Sequence, residues 1–121
     1  GGIDSGASDY EYHFQQAGSG STAYGTAQVS TGAAFIDMGN SIGNAAGEGI
    51  GFALWLSMPG NGTMFATIHG TTIGYTPAGA LIGGTIIGRR LAVISLTQIT
   101  LKLNSGNIAT GELAVYGVKN A

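Results

Sequence analysis

Residues 9–15, with the sequence DYEYHFQ, decide the fold class of this chain. Tyr10, Tyr12 and Phe14 alternate with charged or polar residues, and on an extended backbone the two sets project to opposite sides. A strand of this kind packs its apolar side on a core and turns its polar side to water. The stretch therefore predicts a β-strand with one wet face.

The glycine content argues against long helices elsewhere in the chain. The sequence has 23 glycines among 121 residues, and each glycine inside a helix costs roughly 1 kcal/mol relative to alanine. β-Branched and aromatic residues recur between the glycines, which favours strands. We therefore expect short strands joined by turns.

A second alternating stretch predicts a hairpin in the middle of the chain. Phe52, Leu54 and Leu56 form an apolar stripe, whereas Trp55 lies on the opposite side. The sequence PGNG at residues 59–62 is typical of a turn, and another strand is expected at residues 63–69. These two strands should pair antiparallel.

The end of the chain predicts another hairpin. Apolar residues alternate at 99–103, and a turn at 104–106 leads to a last strand through Leu113 and Val115. The phase of the alternation slips before residue 99, which indicates a bulge or bend at residues 95–98.

Together the strands predict an all-β fold, an antiparallel β-sandwich of the jelly-roll type with seven or eight short strands. Residues 39–51, rich in Gly, Ala and Asn, should form a connection that crosses from one sheet to the other. We expect residues 1–121 to be a single domain and a fragment of a longer chain, because no initiator Met precedes Gly1. The remaining predicted strands are residues 24–30, 33–36, 71–76 and 86–91.

Charge and hydropathy exclude two classes of partner. Charged residues make up only 8% of the chain and the net charge is -2, so we expect no nucleic-acid partner. The apolar stretch at residues 78–96 contains Arg89 and Arg90, and each arginine costs about 2.5–3.5 kcal/mol at the centre of a bilayer. We expect no membrane insertion.

The titratable residues form no metal or cofactor motif. His13 and His69 lie on different predicted strands, and no carboxylate is spaced to bind the same ion. We expect neither metal nor cofactor. One loop has four side chains with oxygen atoms that could bind Ca²⁺, but their spacing is not that of an EF-hand, and turn chemistry explains them more simply. They are Asp37, Asn40, Asn44 and Glu48.

Catalytic signatures are also missing from the sequence. Asp9 and Glu11 share one face of the first predicted strand, at a spacing near the lower end of the roughly 5–10 Å that a glycosidase acid/base pair needs. A solvated face does not supply the desolvation that a general acid requires. No serine lies in a Gly-x-Ser-x-Gly turn, and the glycine runs lack the Lys-Ser/Thr of a phosphate loop. We expect that the chain is not an enzyme.

Aromatic rings outside the apolar stripes are the candidates for a ligand site. Sugar-binding sites place a ring against a pyranose and polar groups near its hydroxyls. We expect Trp55, Tyr24 and Tyr75 to contact such a ligand. Arg89 is the candidate for an acidic sugar, because Arg89 and Arg90 project to opposite faces and only one can serve a given site. The alternative is that these rings pack against a neighbouring subunit.

Four motifs, taken in order, resemble those of the jelly-roll domains of bacteriophage tail-fibre, spike and related adsorption proteins. Residues 115–119 match the apolar-Tyr-Gly-apolar-Lys ending of the last strand in that family. The family usually has further strands before the first motif, whereas only residues 1–3 precede it here. The motifs are residues 4–10 (DSGASDY), 43–49 (GNAAGEG), 99–101 (ITL) and 105–119 (SGNIATGELAVYGVK).

The resemblance implies a non-enzymatic domain that binds a host cell-surface glycan during adsorption. It also implies a homotrimer that assembles with other virion proteins in an exposed tail or head appendage, outside the cell. The alternative is a purely structural virion protein, such as a head spike, collar or decoration element, whose exposed rings are subunit contacts. Polysaccharide cleavage is a third reading, because related tail spikes carry it in other domains.

Overall fold

The computed structural model describes residues 6–18, 26–39, 42–57, 62–103 and 108–118, and all regular structure within these ranges is β-strand. The five strands form one antiparallel sheet with the order β2-β1-β5-β4-β3. No described segment is a helix long and apolar enough to cross a membrane. The strands are β1 (Tyr10–Gly18), β2 (Thr26–Ala33), β3 (Ile50–Ser57), β4 (Thr67–Tyr75) and β5 (Leu81–Arg90).

The all-β class expected from the sequence is confirmed, and so is the alternation in β1. Phe14 faces its register partner Ile86 on β5, and these two side chains are only 2% and 1% exposed. His13 and Gln15, the residues on either side of Phe14 in the sequence, are exposed. The sheet therefore has a covered face, defined by Phe14 and Ile86, and an open face, defined by His13 and Gln15.

The covered face is crossed by the chain that joins β2 to β3, which lie at opposite edges of the sheet. A Cβ atom built on Gly88 of β5 would lie 2.9 Å from Ile36 Cδ1, and one built on Gly74 of β4 would lie 3.2 Å from Ile42 Cδ1. Backbone oxygens are also close to these Cβ positions, 3.1 Å for Glu11 at residue 88 and 2.9 Å for Gly49 at residue 74, so glycine suits the close approach. The connection predicted to cross between two sheets instead crosses one face of a single sheet.

The central hairpin is confirmed in its pairing. β3 and β4 are antiparallel in continuous register, with Phe52 opposite Thr72 and Trp55 opposite His69. Trp55 is exposed whereas Phe52 is half-buried, as the alternation predicts. Residues 58–61 of the predicted turn lie outside the described residues.

The strands predicted at 63–69 and 71–76 are wrong as two elements, because β4 runs through Gly70 without interruption. A Cβ atom at residue 70 would collide with the Ala53 carbonyl oxygen of β3, so this glycine permits close strand pairing and does not end a strand. The strand predicted at 33–36 is also wrong, because Ala33 ends β2.

The terminal hairpin is absent from the described residues of the C-terminal segment, 91–103 and 108–118, and so is the bulge predicted at 95–98. The register shift that does occur lies between Tyr10 and Tyr12, where β1 pairs with β2. Alternating apolar residues favour an extended backbone, but a strand also needs a neighbour to accept and donate its hydrogen bonds. No such neighbour faces this segment within the described part of the chain.

Candidate open-face site

The open face carries one row of side chains that runs across all five strands. The register places the members of this row opposite one another, and each of them is exposed. The central row, as we call it, consists of Val29, His13, Ile87, His69 and Trp55.

Trp55 contributes the largest ring system of the central row. Its side chain stacks on His69, with ring centroids 5.6 Å apart and an angle of 13° between the planes. Trp55 nevertheless stays 58% exposed. An indole that stacks on a neighbouring ring and is still open to solvent offers apolar area for contact. Binding then costs little side-chain entropy, because the ring is already ordered.

Hydrogen-bonding side chains line the central row on one side. Gln15, Thr85 and Thr71 are register neighbours on β1, β5 and β4, and all three are exposed. Amide and hydroxyl groups of this kind donate and accept hydrogen bonds without adding charge. The open face thus combines an aromatic ring with neutral polar groups.

On the other side of the central row, Arg89 is already paired. Its Nε atom donates a 2.7 Å hydrogen bond to Glu11 Oε2, and its Nη2 atom lies 2.7 Å from the same oxygen. The guanidinium also lies over the Phe65 ring, 5.2 Å from the ring centroid. An anionic sugar would have to compete with Glu11 for this cation.

Arg90 projects to the covered face, opposite to its neighbour Arg89. Its Nη2 atom lies 3.1 Å from Asp9 Oδ1, and its Nη1 atom donates a 2.9 Å hydrogen bond to the Asp9 carbonyl oxygen. Asp9 and Glu11 therefore bind different arginines. This arrangement does not present them as an acid/base pair around one substrate bond.

Of the other two predicted ligand residues, only Tyr75 is described, and it does not join Trp55. Tyr75 is half-exposed at the end of β4, on the open face. His69, the register partner of Trp55, and Tyr75 are about 20 Å apart at the rise of an extended strand. Tyr24 lies outside the described residues.

Two of the four predicted loop side chains, Asp37 and Glu48, form local turn bonds. Asp37 Oδ1 accepts a 3.1 Å hydrogen bond from the Gly39 amide, and Glu48 Oε2 accepts a 2.7 Å bond from the Ala45 amide. Asn40 lies outside the described residues. No cluster of three or more His, Cys, Asp or Glu side chains suited to a metal occurs among the residues described.

Sequence reasoning missed the union of His13, His69 and Trp55 in one row. Alternation placed each residue on the wet face of its own strand. The strand order β1-β5-β4-β3 then aligns these three residues on one face, with β5 between β1 and β4. The exposed aliphatic residues Val29 and Ile87 of the same row were also missed. For the strands that contain Val29 and Ile87, the sequence predicted the bounds but not which side chains face solvent.

Comparison with known protein families, with curated proteins and with solved structures finds no match. The central row and its surroundings are therefore interpreted from their own chemistry.

Proposed function

We propose that the chain is a non-enzymatic domain of a phage-like fibre or spike that binds a host cell-surface glycan through the central row. In this proposal the domain acts outside the cell, on an exposed virion appendage, as a homotrimer attached to other virion proteins. A jelly-roll sandwich is proposed for the assembled domain. The observation that carries the proposal is the exposed indole of Trp55 beside neutral hydrogen-bonding groups.

The shape of the open face favours an extended sugar chain as ligand. A small molecule is usually bound in a concave, largely enclosed site, whereas the central row is exposed from end to end. Five strands spaced about 4.8 Å apart give the row a length of about 19 Å. The ring of Trp55 suits the C–H face of a pyranose, and Gln15, Thr71 and Thr85 suit its hydroxyls.

The carboxylates support binding without cleavage. Glu11 is the one carboxylate of the described open-face positions in β1 to β5, and Arg89 holds it. Glycoside hydrolysis with two carboxyl groups needs a second one across the scissile bond. The open face thus lacks, in its described part, the pair that this mechanism uses.

The test is binding of the whole chain to a panel of bacterial surface polysaccharides, measured by calorimetry. We expect one or more polysaccharides to bind, and Trp55→Ala to weaken that binding at least about tenfold, since a buried ring contact contributes about 1.4 kcal/mol or more. Trp55→Phe should retain part of the affinity. Ile73→Ala is the matched control, because Ile73 is exposed on the same face but lies four residues from His69 along β4.

Equal losses in Trp55→Ala and Ile73→Ala would contradict a sugar site at Trp55. Absence of binding to every polysaccharide would argue against the function, and shortening of a bound polysaccharide, measured by its size distribution, would show an enzyme instead. The solution mass of each variant is measured in parallel, so that loss of assembly is distinguished from loss of the sugar contact.

A second candidate function is a structural virion protein whose open face contacts other subunits. The surface area favours it: the chain exposes 8355 Å², whereas a monomeric protein of this mass exposes about 6,000 Å². Exposed aliphatic side chains such as Val29, Ile73 and Ile87 are typical of a protein interface. For this candidate, Trp55→Ala and Ile87→Ala should both reduce assembly, and no polysaccharide should bind.

A further inference from the structure

Residues 111–118 of the C-terminal segment have the composition of a β-strand, but they pair with no other described strand. Within residues 111–118, GELAVYGV, apolar side chains occupy both alternating sets of positions. Val115 is 79% exposed, Tyr116 87% and Val118 93%. A strand that is apolar on both sides is usually covered on both faces.

Beyond Leu91, the backbone groups of this segment also have no hydrogen-bond partner among the described residues. Leu91 donates its amide to the Asp9 carbonyl oxygen at 2.8 Å, but the described residues beyond it, 92–103 and 108–118, form no backbone hydrogen bond with any other described residue. An extended, β-branched stretch of this kind gains its hydrogen bonds when it joins a sheet.

Two sheet edges are available to receive a strand, and they differ. β2 has an interrupted register with β1, and a bulge of this type discourages further pairing. β3 keeps continuous register with β4 from Ile50 to Ser57 and contains neither a charged residue nor a proline. Charges and prolines usually protect an edge strand, but β2 also has neither, so the continuous register is what distinguishes β3. β3 is therefore the better acceptor.

We propose that residues 111–118 of one copy of this chain add as an extra strand to the β3 edge of a second copy. The donor segment, residues 111–118, could pair along the whole of β3, which is 8 residues long. Glu112 is the one charged residue of the donor segment, and β3 offers no charge to repel it. The chain exposes 8355 Å², about 2,300 Å² more than a monomer of this mass, and such an excess favours contact with another copy.

A second copy is favoured over the same copy by the position of the segment. Lys102 lies over the ring of Phe35, 5.0 Å from its centroid, and Phe35 follows the end of β2. Lys102 thus lies beside the residues that follow β2, and residues 111–118 form no backbone hydrogen bond with β3 of the same chain, although both are described. Addition of one chain's terminus to the next chain's edge is a head-to-tail contact, which gives a ring where the rotation between copies closes and a filament where it does not. The proposal does not require that the open face binds a glycan.

The first test uses neighbouring prolines, Ala114→Pro and Val115→Pro, in the full chain. Successive amides of a strand point to opposite edges, so only one of the two prolines removes a hydrogen bond to β3. We expect one variant to raise the dissociation constant about tenfold or more by analytical ultracentrifugation and the other to change it little. Val115→Thr, which keeps the amide, should assemble like the parent. Equal effects of both prolines, or a monomeric parent, would overturn the proposal.

The second test locates the acceptor edge with introduced cysteines, which are unique because the chain has none. Chains carrying Ala53→Cys on β3 are mixed with chains carrying one cysteine at each position from 113 to 117, and then oxidised. We expect a mixed disulfide at one or two positions. Thr31→Cys on the β2 edge is the matched control and should give none. Linkage to residue 31 would refute the proposed edge. A further variant carries Ala53→Cys and one of the cysteines at 113–117 in the same chain. If a disulfide forms only within that chain, the second copy is refuted.

Discussion

The sheet and the C-terminal segment contain the same kinds of residue, yet only one of them forms strands. In β1, aromatic residues alternate with polar ones and Phe14 is buried. In the segment, Leu113 and Val115 alternate with Ala114 and Tyr116, but all are exposed. The difference shows that alternation predicts an extended backbone, whereas pairing depends on a neighbouring strand.

The surroundings of glycine residues also differ between the sheet and the C-terminal segment. A Cβ atom on Gly88 of β5 would contact Ile36, the backbone of Glu11 and Tyr12. A Cβ atom on Gly117 would meet nothing within 4 Å. One residue type is thus required by packing in the sheet and is unconstrained in the segment, as long as the chain is alone.

The largest expected effect comes from removing a buried ring. Phe14→Ala should destabilise the protein by about 3–5 kcal/mol, because the side chain is 2% exposed and leaves a cavity against Ile86. Tyr116→Ala should change the stability of the unassembled chain by less than about 0.5 kcal/mol. Urea denaturation at low protein concentration measures both, and a similar loss in the two variants would show that the segment is packed like the sheet.

Glycine substitutions should give a smaller difference. Gly88→Ala is expected to cost about 1–3 kcal/mol, since its Cβ atom would lie 2.9 Å from Ile36 Cδ1 and 3.1 Å from the Glu11 carbonyl oxygen. Gly117→Ala in the unassembled chain should be neutral. The measurement is the midpoint of thermal unfolding, and an unchanged midpoint for Gly88→Ala would mean that the covered face is loosely packed.

The smallest expected effect is a pH dependence carried by Tyr12. Burial raises the pKa of the Tyr12 phenol above its ordinary value of 10.0, and the negative charge of Asp37 raises it further. The folded state therefore holds the phenol proton more tightly than the unfolded state. The stability that the protonated phenol contributes is complete below pH 10.0. This stability is lost as the pH rises through the raised pKa.

The measurement for Tyr12 is urea denaturation at several pH values on either side of its ordinary pKa. Stability should decline in alkali, and Tyr12→Phe should decline less steeply because it has no proton to lose. Tyr116→Phe leaves Tyr12 in place and should follow the parent. A Tyr12→Phe variant that also follows the parent would show that other groups cause the decline.

Much of the fold was predictable from the order of residues. The faces of Phe14 and Trp55, the central hairpin and the all-β class follow from alternation, which is a local property. The split of β4 at Gly70 was wrong because a glycine in a strand marks close approach of another strand as readily as a turn. The candidate site was predictable only in part, through the exposure of Trp55.

The sequence by itself determined that the chain forms strands, which side of β1 and β3 faces water, and that its surface carries little charge. These properties depend on residue type and on the two-residue period of an extended backbone. Three features depend on the tertiary structure: His13, His69 and Trp55 share one row, Arg89 binds Glu11, and residues 111–118 pair with no described strand. Each depends on which strands become neighbours, and pairing between residues far apart in sequence is not encoded in any local pattern.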